Sequence, residues 1–123
     1  MIKTKYVILL SFVLGTYSFE AEARNCVIHH YKATWGLEMP GNMTVKKNFV
    51  CTTSITSVGQ DDISIIEQAK NGVAKSTSTG ATYKPNNNFI GTDEFVFMRK
   101  GRDRYGNAAE SRVRVSVKVV NDL

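Results

Sequence analysis

The C-terminal segment constrains the fold more than any other part of the chain. Val113, Val115, Val117 and Val119 alternate with Arg112, Arg114, Ser116 and Lys118, and a repeat of two matches the pleat of a β-strand, not the turn of a helix. The valines therefore share one buried face and the cations share the other. β-Branched side chains add to the preference for extended backbone. A strand with one apolar face must be covered by a second layer, so this segment commits the chain to a layered β architecture.

Shorter stretches repeat the pattern. Phe95 and Phe97 alternate with Glu94, Val96 and Met98, and the connection from Arg99 to Glu110 carries Gly101 and Tyr105-Gly106-Asn107 as turn chemistry, which predicts an antiparallel hairpin with a long loop. Val73 to Ser76, Gly80 to Tyr83, Met43 to Val45 and Phe49 to Thr53 are further strand candidates. Asp61 to Gly72 fits either a helix, with acids in its first turn and Asn71-Gly72 as a stop, or a strand with Ile63 and Ile65 inward. Hydrophobic residues make up 42% of the chain and charged residues 22%, which excludes a disordered or low-complexity protein. About seven short strands at turn spacing predict an all-β antiparallel sandwich.

The N-terminus reads as a targeting segment. Lys3 and Lys5 precede an apolar run from Tyr6 to Leu14, and Ala21-Glu22-Ala23 supplies the small-x-small pattern of a signal-peptidase site. The run is well short of the roughly 20 residues a bilayer span requires. Residues 1–23 are therefore expected to be a secretory signal cleaved near Ala23. That leaves 24–123 as one secreted or periplasmic domain, with no membrane span in the mature chain. Both cysteines, Cys26 and Cys51, fall in that domain, and an even count in an exported chain predicts a disulfide. Ala23-Arg24-Asn25 lacks the small apolar lead-in of a lipidation site.

From Tyr83 the chain runs Tyr83-Lys84-Pro85-Asn86-Asn87-Asn88-Phe89-Ile90-Gly91-Thr92-Asp93-Glu94-Phe95-Val96-Phe97. This resembles the signature of bacterial cadherin-like and immunoglobulin-like repeat domains: Tyr-x-Pro, three residues, Phe-x-Gly-x-Asp-x-Phe, a strand, a Gly-containing loop and an alternating-valine strand. Gln68 to Val73 is similar to an earlier segment of those domains, with Ala69 where proline is usual. The resemblance covers about Ile55 to Asp122, implies an immunoglobulin-like or cadherin-like sandwich and tips 61–72 towards strand. Tyr83, Pro85, Phe89, Gly91, Asp93 and Phe95 are accordingly expected to serve folding: the Tyr83 ring lying across a sheet edge with its hydroxyl on a backbone group, Asp93 accepting backbone N–H groups in a turn. In tandem arrays of such domains Val-Asn-Asp leads to the next repeat and helps ligate calcium. Here Val120-Asn121-Asp122 is followed only by Leu123, and Asp103 lacks a second carboxylate at loop spacing, so calcium is not expected.

No catalytic constellation is present: the sequence has no nucleophile elbow, HExxH motif or phosphate loop. His29 and His30 are adjacent, so on a strand they face opposite ways. Two lone cysteines do not make a zinc site. No enzymatic activity, metal or cofactor is expected.

Charge is the remaining functional signal. The net charge is +5, and residues 99 to 118 hold seven basic side chains against two acidic ones. Arg99, Lys100, Arg102 and Arg104 are expected on the hairpin loop, with Arg112, Arg114 and Lys118 on the outer face of the last strand. Such a cluster attracts anionic envelope polymers in a salt-dependent manner; nucleic acid is not the expected partner. The competing expectation is an edge strand kept soluble by its charges. Trp35, Tyr31 and Tyr105 are candidates for a binding face or for the core. Two functions fit: a non-enzymatic binding or adhesion module of the bacterial envelope, or a periplasmic accessory or inhibitory protein that pairs a strand edge with a partner chain.

Overall fold

A computed structural model describes residues 25–29, 33–55 and 62–123. The expected signal segment and cleavage site, His30 and Tyr31 lie outside the described residues. Eight strands follow in order: β1 (Cys26–His29), β2 (Glu38–Lys46), β3 (Cys51–Ser54), β4 (Asp62–Glu67), β5 (Gly72–Ser76), β6 (Gly80–Pro85), β7 (Gly91–Arg102) and β8 (Ala108–Val120). They form a five-stranded sheet, β1-β2-β8-β7-β4, and a three-stranded sheet, β3-β6-β5. The all-β sandwich expected from the alternation is thus the fold, with eight strands among the described residues where about seven were expected. One pairing departs from the antiparallel pattern: β2 runs parallel to β8, from Glu38 opposite Arg112 to Lys46 opposite Val120.

The valine strand is not an edge. β8 lies between β2 and β7 and is bonded along both sides, which corrects the expectation that its charges protect a free edge. Its valines are buried in the middle of the core, the position that four consecutive β-branched inward residues favour. Of 61–72, the described residues 62–72 contain β4 and then a turn, with no helix; neighbouring β7 supplies the ladder for β4. Phe49 and Val50, expected to begin a strand, instead remain exposed outside β3. Asn48 takes a left-handed φ of 69°, so the chain turns before pairing resumes at Cys51.

The two layers interlock by size. The larger sheet contributes Met43, Val45, Phe95, Phe97 and the valines, whereas the smaller one contributes Ala74, Ala81, Thr53 and the single large ring of Tyr83. Tyr83 stacks on Phe95 at 5.9 Å between centroids. It is fully buried, not laid over a sheet edge, because the small residues around it leave a ring-sized space. A disulfide joins Cys26 on β1 to Cys51 on β3, tying an edge of one sheet to an edge of the other.

The Tyr83 hydroxyl donates to Asp93 Oδ2 at 2.8 Å, so its partner is a carboxylate and not the backbone group expected. Asp93 also accepts the backbone N–H groups of Lys70, Asn71 and Glu94 at 2.9–3.0 Å, which is the role expected of it. Burial raises the Asp93 pKa, but these four bonds outweigh it and hold the carboxyl below its ordinary value. The Tyr83 phenol is pushed well up, by burial first and then by its bond to Asp93. Gly72 makes this geometry possible, since a Cβ there would sit 2.6 Å from the Tyr83 hydroxyl. Gly91, with φ of 146°, opens β7 beneath the Phe89 ring, a conformation L side chains rarely adopt.

Two outcomes follow from these contacts. Because the folded-state pKa of Asp93 is depressed, its contribution is full at neutral pH and disappears as pH falls below the ordinary carboxylate range of about 4. Chemical denaturation should show Asp93→Asn costing about 2–3 kcal/mol at pH 7, with a smaller difference from wild type near pH 3. Reduction of the disulfide, which closes a sequence separation of 25, should cost about 3–4 kcal/mol in the same assay.

Candidate functional site

The seven cations singled out in the sequence occupy three different environments. Arg99 continues the inward row of Phe95 and Phe97 on β7 and is only 7% exposed. Its guanidinium lies 3.7 Å from the ring centroid of Trp35, and Nη2 donates to the Ala33 carbonyl at 2.9 Å. The segment from Ala33 to Leu37 is held there by Gly36 N–H on the Glu110 carbonyl and Arg112 N–H on the Leu37 carbonyl. Arg99 and Trp35 together close one end of the core. This corrects two expectations: Arg99 is on a strand and not in a loop, and it is buried.

Arg114 occupies the second environment, at the centre of the outer face of the five-stranded sheet. Nε is 3.1 Å from Glu38 on β2, Nη1 is 2.8 Å from Glu94 on β7, and Nη2 is 3.0 Å from Glu67 on β4. The hydrogen bonds to these carboxylates raise its pKa further, and the bond from Arg114 lowers that of Glu38. One cation among three carboxylates leaves a local surplus of negative charge, so this part of the face does not offer a free cation to an anionic ligand. The three acids are separated from Arg114 by 76, 47 and 20 positions, and no local spacing points to them. A shallow polar trough continues from Glu94 along the same face, lined by His29, Asn42, Thr44, Thr92, Ser116 and Lys118.

The third environment is the hairpin tip. The β7–β8 ladder runs on to Arg102 opposite Ala108, whereas β2 joins β8 only from Arg112 and β4 reaches β7 only as far as Lys100. Among the described residues the end of the hairpin therefore projects as a two-stranded ribbon. The loop is Asp103 to Asn107, shorter than the span from Arg99 to Glu110 expected, because the inward row of β7 extends to Arg99. Asp103 Oδ1 accepts the N–H groups of Tyr105 and Asn107, both at 2.9 Å, and Gly106 supplies a φ of 83°. This is the Asx-stabilised turn that Asp and Gly at such spacing favour. Arg102 donates from Nη1 to the Gly106 carbonyl at 2.8 Å. Tyr105 is 77% exposed, with the Arg104 guanidinium 5.8 Å from its ring centroid.

Lys100, Arg102, Arg104 and Arg112 thus remain outward-facing on or beside the ribbon, all exposed, with Lys118 further along β8. Trp35 serves the core end and Tyr105 the surface. Among the described residues, no group of three or more His, Cys, Asp or Glu is placed to hold a metal ion, and no helix is long and apolar enough to cross a membrane. The chain matches no protein-family model and no curated relative.

The two readings of Arg99 separate experimentally. Arg99→Lys keeps the charge but loses the planar stack on Trp35, so thermal or denaturant unfolding should show a loss of about 1–2 kcal/mol. Retention on an anionic matrix should stay at the wild-type value.

Proposed function

We propose that this protein is an exported, non-enzymatic binding module of the cadherin-like or immunoglobulin-like kind, which contacts anionic polymers of the bacterial envelope through the β7–β8 tip. The observation that carries this reading is the projecting ribbon itself. It combines two arginines with a tyrosine on a turn whose backbone is already ordered by Asp103. An ordered turn loses little conformational freedom on binding, and guanidinium groups donate in the fork that phosphate and carboxylate oxygens accept. The disulfide supports export, because such bonds persist in oxidising compartments. The sandwich and the turn N–H groups bound by Asp93 support the family resemblance, and the absorption of Glu38, Glu67 and Glu94 by Arg114 supports a binding role over an acid–base one.

The alternative reading, pairing of a strand edge with a partner chain, moves away from β8, which is bonded on both sides from Arg112 to Val120. Among the described residues the terminal strands of the sheets are β1, β4, β3 and β5, and β5 carries the most specific edge chemistry.

Retention on phosphate-bearing or uronate-bearing envelope polymers, followed against salt concentration, tests the first reading. Arg102→Ser with Arg104→Ser should lower retention at low salt and reduce the slope of log affinity against log salt by about one for each arginine that binds an anionic group of the polymer. Tyr105→Ser should weaken binding without changing that slope. Unchanged retention in the double variant would remove the tip as the contact surface.

A further inference from the structure

β5 is the outer strand of the three-stranded sheet. Its pairing with β6 sets Ala74 opposite Tyr83, and the Ala74 backbone turns its polar groups to the open side. There both are met by one side chain. Ala74 N–H donates to Gln68 Oε1 at 2.7 Å, and Gln68 Nε2 donates to the Ala74 carbonyl at 3.0 Å. A primary amide carries an acceptor and donors side by side, as a strand's peptide groups do, so Gln68 occupies the position of a neighbouring strand at this one residue. The same Oε1 also accepts the N–H of Ala69, which fixes the side chain against the turn that Asp93 holds through Lys70 and Asn71.

The rest of the edge is lightly protected: its one charge is Lys75, exposed on the outer face beside Val73. By the alternation of an antiparallel ladder, Gly72 and Ser76 direct their peptide groups to the same open side as Ala74. Nothing among the described residues bonds their N–H groups. The strand holds no proline and no inward charge, and Val73 is exposed on its outer face. The sequence is also compatible with itself. With Ala74 opposite Ala74 of a second copy, Val73 faces Lys75, Lys75 faces Val73, and Gly72 faces Ser76. No like charges stand directly opposite one another, and the same patch serves both copies, as an isologous two-fold pair requires.

We propose that Gln68 is a latch on this edge, and that its displacement opens β5 to antiparallel pairing with β5 of a second copy of the chain, joining the two three-stranded sheets into one of six. The Ala74 groups released by the latch are the ones the second copy would take, so latch and dimer exclude each other. From Arg112 to Val120 β8 is bonded on both sides, and the interaction surface passes to β5. The proposal stands independently of the anionic-polymer reading, since the basic tip is on the other sheet.

Sedimentation velocity over a concentration series tests it. Gln68→Ala removes two bonds from each chain that pairing must otherwise break, and should raise the dimer association constant by about a hundredfold. Adding Ser76→Pro, which removes an outward N–H, should restore the monomer. Gln68→Glu is the second variant: it keeps the acceptor for Ala74 N–H but sets a carboxylate against the Ala74 carbonyl, and should also dimerise at neutral pH. In wild type, amide exchange should be slow at Ala74 and fast at Ser76. The proposal fails if folded Gln68→Ala and Gln68→Glu remain as monomeric as wild type, if Ser76→Pro leaves the association intact, or if the product is an open-ended aggregate instead of a dimer.

Discussion

One carboxylate joins three parts of this sandwich. Asp93 lies on β7 in the larger sheet, takes the hydroxyl of Tyr83 from the smaller sheet, and binds the N–H groups of Lys70 and Asn71 in the connection between β4 and β5. The sheet-to-sheet contact, the crossover that changes layers and the deepest ring of the core therefore meet at one side chain. Each donor is satisfied by an ionised acceptor, which makes the bonds stronger than neutral ones and leaves no donor orphaned there. Gly72 belongs to the same unit, because only a residue without Cβ admits the phenol at that distance. The latch at Gln68 depends on it too, since the turn that aims Gln68 at Ala74 is the turn Asp93 holds.

The electrostatics show how a net charge can mislead about a surface. Seven cations fall together in sequence, yet alternation sends them to opposite sides of a twisted sheet and along a hairpin longer than its neighbours. Arg99 becomes the end of the core over Trp35, Arg114 becomes the centre of a carboxylate cluster, and the projecting ribbon keeps outward charge beside the exposed Tyr105 ring. Exposed ion pairs of the Arg114 kind contribute little to stability. Their effect is on what the face can bind: the middle of the large sheet is closed to anions and the tip is not.

Much of the fold was legible because period-two alternation is a local property. The valine strand, the β7–β8 hairpin and the strands β5 and β6 all follow from residues within a few positions of one another, whereas 61–72 fitted helix or strand equally until the resemblance tipped it. The Tyr83 to Phe97 motif was legible as folding chemistry, down to Asp93 accepting turn amides. The partner of the Tyr83 hydroxyl was not, because a hydroxyl of a buried ring can be met by any acceptor the packing brings near. The order of strands was equally hidden, since the parallel β2–β8 pairing joins segments far apart in the chain, and it turned the supposed edge strand into the centre of a sheet.

What this sequence determined by itself was the layer architecture, the pairing of two lone cysteines and the turn chemistry of the hairpin tip, each set by spacing and by the conformations that single residues allow. Only the tertiary structure decided which charges remain available and which edge is open. Those depend on what lies across a sheet from a residue: Glu38, Glu67 and Glu94 reach Arg114 from three other strands, Trp35 reaches Arg99 from a distant loop, and Gln68 folds back on Ala74. The pleat tells a side chain which face to take; the neighbour it meets on that face is set by strand order, which alternation does not encode.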